Sequence, residues 1–227
     1  MNKQLPLSFQ APEFASFDNF IIARNQQLLH SLSDEQESLI FLWGEKGCGK
    51  SHLLQAVTQS YQTAEKNAFY LPLDLLAELT PDMLEGMEMM DLVCLDDVHA
   101  VSGHSQWEEA LFHFFNRMRD KGGRLILAAD NSAVNCAIKL PDLRSRLSWG
   151  LTYQVQPLDD PAKVEVLKLR ASQRGLVMSD EVAAYIMKHT SRSLPKLITL
   201  LDKLDYVSLA EQRKLTVPLV KSIIYSV

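Results

Sequence analysis

The chain lacks any apolar run approaching the roughly 18 residues of a membrane-crossing helix, so it is expected not to span a bilayer. It also lacks a basic N-terminal stretch followed by an apolar segment, so nothing marks it for secretion. Cysteine is scarce. Cys48, Cys94 and Cys136 are odd in number and far apart, which argues against a disulfide framework or a cysteine zinc cluster and points to a reducing compartment. These absences together imply a cytoplasmic location. The six histidines form no ligand set: His99 and His104 are close neighbours without a Cys, His or carboxylate partner at a metal-site spacing, and they read as solvated. No Ser/His/Asp or Cys/His arrangement, internal repeat or low-complexity tract can be argued. The strong basic excess of a dedicated duplex-DNA binder is missing too, the net charge being −5.

What is present is an ordinary globular composition of 227 residues, 47% hydrophobic and 22% charged, enough for one or two domains. Charge is unevenly spread: residues 1–158 hold 12 Lys and Arg against 20 Asp and Glu, residues 159–227 hold 11 against 8. From Ser38 the text alternates between short apolar runs and helical patterns. Residues 38–43, 67–71, 92–95 and 124–129 read as buried strands, and a helix bearing Trp107, Leu111, Phe114, Phe115 and Met118 separates the last two. Strands alternating with helices predict a parallel sheet covered on both faces, an α/β fold. Beyond Gln154-Val-Gln-Pro157 the pattern becomes purely helical, at about 160–174, 180–190, 194–210 and 216–225, with Asp159 or Asp160 as a cap and Pro161 in the first turn. The expected organisation is an extended tail at 1–13, an α/β domain at 14–157 and a small all-helical domain at 158–227.

Three motifs fall at the carboxyl ends of predicted strands. The first is Gly44-Glu45-Lys46-Gly47-Cys48-Gly49-Lys50-Ser51, between a strand and a helix, with His52 following. Glycines let successive backbone N–H groups converge on one anion. Lys50 would reach the β- and γ-phosphates, the Ser51 hydroxyl would ligate Mg2+, and the helix N-terminus adds its positive end. The bland alternative is a glycine-rich turn. The second is Leu92-Val-Cys-Leu-Asp96-Asp97, where Asp96 would hold Mg2+ through water and Asp97 could orient or deprotonate an attacking water, rather than merely ending a strand. The third is Asp130-Asn131, a turn by composition, with Asp130 the better candidate to sense a γ-phosphate. Further on, Leu140-Pro-Asp-Leu-Arg144-Ser-Arg146-Leu-Ser-Trp149-Gly150 is either a helix with exposed basic ends or an arginine finger that enters a neighbouring molecule's nucleotide site.

With these elements in order the chain resembles an AAA+ ATPase module, a three-layer αβα P-loop domain followed by a helical lid, and specifically the DnaA family of replication proteins. Phe17-Asp-Asn-Phe20 resembles the segment opening that family's nucleotide domain, Leu95-Asp-Asp97 its Walker B, and Ser145-Arg146-Leu147-Ser-Trp149-Gly150 its arginine-finger box; the likeness spans about 17–225. It implies Arg146, rather than Arg144, as a finger acting in trans. The family's initiators continue into a helix-turn-helix reader of DNA, whereas this chain is expected to stop at the lid. Its tail, Gln4-Leu5-Pro6-Leu7-Ser8-Phe9, resembles the peptide by which bacterial proteins dock on the DNA polymerase sliding clamp, with Gln4 as polar anchor and Leu5, Leu7 and Phe9 as apolar plugs beside Pro6. The combination resembles a regulatory DnaA homologue, an inhibitor of replication initiation. That resemblance implies docking on the DNA-loaded clamp, contact with DnaA, stimulation of DnaA's ATP hydrolysis, and retention of ADP with Mg2+ as a bound nucleotide. Contact with DNA would be chiefly through the clamp, with homo-oligomers a further expectation.

One position departs from the family. The lid's sensor arginine is replaced within Ser193-Leu-Pro195-Lys196, with Arg192 and Lys196 as the available substitutes, which argues against efficient intrinsic turnover. Two other classes compete. An autonomous ATPase of the helicase-loader type would need Asp97 and substantial turnover by the chain alone. A small-molecule phosphotransferase would need an acceptor pocket with several lid arginines, and has no use for the finger box.

Overall fold

Alternation along the strands sorts side chains onto two faces, and both faces are covered. The computed structural model describes residues 15–225, so Gln4, Leu5, Pro6, Leu7 and Phe9 lie outside the described residues. Five strands, β1 (Leu39–Trp43), β2 (Ala68–Pro72), β3 (Leu92–Asp96), β4 (Arg124–Ala129) and β5 (Leu151–Gln154), form one sheet in the order β2-β3-β4-β1-β5, every pair parallel. Phe41, Val93, Leu95, Leu125 and Leu127 point to one face, where α3 (Ser105–Lys121) and α4 (Pro141–Leu147) deliver Trp107, Leu111, Phe114, Met118, Leu143 and Leu147. Ile40, Leu42, Cys94, Ile126 and Ala128 point to the other, where α2 (Lys50–Thr63) and α1 (Gln26–Ser33) deliver Leu53, Leu54, Val57, Leu28 and Leu32. Each such aliphatic or aromatic side chain contributes about 1.5–3 kcal/mol on burial, which is how strands this short hold one register.

Several elements were invisible to the periodicity reading. The helix α1 offers little more than Leu28 and Leu32, four apart, as an inward stripe. Its last carbonyls are satisfied by a strand residue: the buried Arg124 donates from Nη2 to the carbonyls of Ser31, Leu32 and Asp34 at 3.0, 3.1 and 2.9 Å, from Nε to Glu37 at 2.9 Å, and from Nη1 to the Tyr61 hydroxyl at 3.2 Å. Between β2 and β3 the chain makes three 3-10 turns, Leu73–Glu78, Pro81–Leu84 and Met87–Met89, that tuck Leu73, Leu84 and Met87 into the first core.

A second compact unit begins at Leu158. It consists of α5 (Asp160–Gln173), α6 (Asp180–His189), α7 (Leu194–Glu211) and α8 (Val217–Tyr225). Asp159 caps α5 by accepting from the Ala162 N–H at 3.0 Å, and Ser179 caps α6 by accepting from Val182 at 3.3 Å. Pro161 and Pro195 sit in first turns, where an amide hydrogen is not needed. Leu197, Leu201 and Leu204 of α7 meet Leu167, Val182, Ile186 and Val220 in a separate core. Among the described residues no helix is long and apolar enough to cross a membrane.

Candidate functional site

The strand β1 is flanked by β4 and β5, so the connections from its neighbours diverge at its carboxyl end and leave a crevice there, the usual ligand position in an open parallel sheet. Into that crevice β1 delivers residues 44–51, and the helix α2 begins at Lys50. Gly49 adopts φ +105°, and a Cβ there would lie 2.9 Å from Cε2 of Phe20, so a side chain is excluded both by the backbone and by the ring. The Lys50 side chain is buried and folds over its own loop. Its Nζ donates to the carbonyls of Gly44 at 2.7 Å and Glu45 at 3.2 Å and pairs with Asp130 Oδ1 at 3.2 Å. The P-loop lysine and Asp130, 80 residues apart, thus form one unit. Cys48 lies buried in the loop, and that burial pushes its thiol up from the ordinary range, leaving an inert group.

The next strands along bring the acids. Asp96, fully buried at the end of β3, accepts from the Tyr70 hydroxyl at 2.8 Å and from the Asp97 backbone N–H at 3.0 Å. Burial and the Asp96 carboxylate together push the Tyr70 hydroxyl far above its usual range, so it remains a donor. With both oxygens engaged, Asp96 would meet a cation through water. Asp97 turns the chain with φ 52° and ψ 42°, a left-handed conformation that costs a non-glycine residue about 1–3 kcal/mol. Its carboxyl is held above the ordinary carboxylate range by burial and then by the negative charge of Asp96, with Asp130 and Asp74 acting in the same sense and His99 against them.

Here the structure corrects the sequence reading. His99 is not a solvated surface residue: it is half-buried between the ends of β3 and β4, with Nε2 3.2 Å from Asp130 Oδ2, Nδ1 accepting from the Asp130 N–H at 3.4 Å, and the same Nδ1 3.9 Å from Asp97 Oδ1. The sequence places His99 three residues beyond the strand-ending Asp96 but cannot show that β4 ends alongside. His104, by contrast, stays exposed at the start of α3.

On the other side of the loop, His52 stands in the first turn of α2. Its Nε2 donates to the Ser16 carbonyl at 3.0 Å and its ring faces Phe20 at 5.6 Å between centroids; burial lowers its pKa, which keeps it a neutral donor. The Phe17-Asp-Asn-Phe20 segment therefore closes over the helix that starts the P-loop site.

Arg146 lies elsewhere. The helix α4 ends at Leu147 and the chain enters β5 through Ser148-Trp149-Gly150, so tight against the start of β1 that a Cβ at Gly150 would lie 2.2 Å from the Leu39 carbonyl oxygen. Arg146 thus sits at the amino edge of the sheet, one five-residue strand, about 16 Å, from the P-loop at the carboxyl edge. Its guanidinium stacks 3.8 Å from the centroid of the Trp149 ring and 5.9 Å from that of Phe112. Trp149 itself is 56% exposed and borders a cleft of about 450 Å³ with Leu39, Phe115, Met118 and Leu151. Arg144 is exposed on the same helix. In the helical unit, Pro195 opens α7, Lys196 is exposed, and Arg192 pairs with Asp160 at 2.5 Å.

Comparison with known proteins adds three findings. Residues 12–154 match the family model of the bacterial DnaA ATPase domain, and residues 160–224 that of the Hda lid domain. An uncharacterised protein of Haemophilus influenzae is 43% identical over 229 residues, covering 99% of both chains. Among solved structures, domain III of the Thermotoga maritima replication initiation protein DnaA superposes with a TM-score of 0.82 at 20% identity, covering 94% of this chain and 96% of that one. AMPPCP-bound DnaA from Aquifex aeolicus gives 0.71 at 23% identity, covering 89% and 68%.

Proposed function

Since the chain belongs to the DnaA-homologous AAA+ family, in its Hda-like branch, we propose that this DnaA-related regulator acts on DnaA by promoting hydrolysis of the ATP that DnaA holds. Residues 44–51, with His52 and Asp130, grip a nucleoside diphosphate, ADP, as a conformational support. The Ser51 hydroxyl and the water-mediated Asp96 carboxylate make an all-oxygen donor set that suits Mg2+, which when bound offsets phosphate charge. Gln4, Leu5, Pro6, Leu7 and Phe9 dock on the DNA-loaded sliding clamp and so restrict the activity to replicated DNA. Arg146 enters the nucleotide site of DnaA, where its charge opposes the negative charge gathering on the γ-phosphoryl oxygens as water attacks and ADP leaves.

The observation that carries this reading is the position of Arg146. Its own P-loop is at the opposite edge of the sheet, beyond the reach of an arginine side chain, which supports a role at a site on another molecule. Trp149 supports that role: stacking against the indole holds the guanidinium in place, and among the described residues no carboxylate pairs with it. At the chain's own site, Pro195 stands where the lid's sensor arginine is expected, which suits retention of a spent nucleotide better than repeated turnover.

The test is a pull-down on clamp loaded onto DNA, with nucleotide released from the full-length protein by denaturation and identified. Wild type is expected to bind clamp and to release ADP. Gln4→Ala with Leu5→Ala is expected to weaken clamp binding at least tenfold, a loss on the scale of about 2 kcal/mol for a pocket anchor, with the nucleotide unchanged. Undiminished clamp affinity would overturn the docking role, and rapid turnover of ATP by the chain alone would favour an autonomous ATPase.

A further inference from the structure

We propose that Asp97, His99 and Asp130 form a binding site for a divalent transition-metal ion of the zinc or cobalt class, separate from the Mg2+ position of the nucleotide site. One ligand atom from each of the three residues lies within 4.8 Å of the other two, and all three are half-buried. Around a tetrahedral ion with bonds near 2.1 Å, ligand atoms stand about 3.4 Å apart. The His99 Nε2 to Asp130 Oδ2 separation of 3.2 Å already matches, while Asp97 Oδ1 lies 3.9 Å from the other ring nitrogen, Nδ1, so binding requires the Asp97 carboxylate to swing toward the Nε2 side of the ring.

Chemistry separates this site from the Mg2+ position. Mg2+ takes oxygen ligands, which Ser51 and Asp96 supply, whereas one imidazole with two carboxylates and an open position for water suits zinc, cobalt or nickel. The charge balance agrees. Asp96, Asp97 and Asp130 converge here, while the ammonium of Lys50 is the cation drawn among them. A divalent ion would relieve that excess of negative charge. Lys50 pairs with Oδ1 of Asp130 and His99 with Oδ2, so an ion shared with His99 can use Oδ2 without dislodging the lysine. Asp97 is turned toward the cluster by its left-handed backbone, a conformation that no local hydrogen bond of its own side chain accounts for among the described residues.

The experiment uses the full-length, tag-free protein stripped with EDTA and titrated with Co2+, read by the visible absorption of the bound ion and by calorimetry. With Mg2+ kept at millimolar concentration to hold the nucleotide's own cation position, one Co2+ per chain is expected, displaced by Zn2+. His99→Ala and Asp97→Asn should each weaken binding by about tenfold to a hundredfold or more, the scale already seen when only supporting groups of a metal site are removed, whereas His104→Ala should bind as wild type does. Circular dichroism shows whether each variant is folded. Asp97→Asn keeps a residue tolerant of the left-handed turn, so it remains informative if His99→Ala does not fold. Folded His99→Ala or Asp97→Asn protein that titrates like wild type would overturn the proposal, as would absence of saturable Co2+ binding; neither outcome bears on the nucleotide or clamp.

Discussion

Asp97 shows how a residue can be visible in a sequence while its physics is not. Its place beside Asp96 at a strand end marks it as a possible base, but the left-handed backbone and the surrounding carboxylates emerge only when β3, β4 and their following turns are assembled. His99 is the stronger case, because nothing in its neighbourhood along the chain announces that Asp130 will stand 3.2 Å away. Glu108 belongs with it: an acid in the first turn of an amphipathic helix looks solvated, yet it is buried. Burial works to raise its pKa, but N–H groups of Gly103, Lys139 and Leu140 outweigh that and hold it below the ordinary range. The strain at Asp97 gives a prediction. Asp97→Asn relieves both the charge crowding and part of the backbone cost and is expected to stabilise the protein by about 1 kcal/mol in urea unfolding near neutral pH. Because the folded-state pKa of Asp97 is raised, its ionisation weakens the fold fully above that pKa and not at all below the unfolded value. The gain should therefore shrink as the pH is lowered through that window; an equal gain at acid pH would assign the effect to backbone geometry alone.

At the scale of elements, the legible parts are those with a period. The buried strands and the helices α2, α3 and α5 to α8 all carry enough apolar positions to define a face, and the boundaries of β1 to β4 and of α5 to α8 fall within a residue or two of those read from the chain. What could not be read are elements whose order comes from elsewhere. The helix α1 is short, with two fully buried leucines, and its C-terminal carbonyls depend on a guanidinium 90 residues away. The 3-10 turns between β2 and β3 have no period to detect. Arg124 itself looks like a polar residue opening a strand. Removing it tests the dependence: Arg124→Leu deletes five hydrogen bonds and leaves buried carbonyls unpaired, so a loss of about 3 kcal/mol is expected. Hydrogen exchange should show α1 opening first, while α2 and α3 keep their protection. Uniform loss of protection would mean that α1 is not a separately stabilised element.

For the molecule as a whole, two units with independent cores divide the labour that we propose. The αβα unit carries the P-loop crevice at one edge of its sheet and the Arg146–Trp149 pair at the other. All three cysteines are buried, Cys94 with its thiol pushed up to about 12 by burial, so they contribute packing rather than redox chemistry. The separation of the two edges was beyond sequence reading, because strand order and parallel register are needed to place Arg146 relative to Lys50. The most direct measurement is the rate at which DnaA hydrolyses its bound ATP in the presence of DNA-loaded clamp and this protein. Arg146→Ala should fold, retain its nucleotide and dock on the clamp, yet lose stimulation by about a thousandfold or to background, while Arg144→Ala stimulates normally. Stimulation that survives in Arg146→Ala would contradict action through a finger in trans.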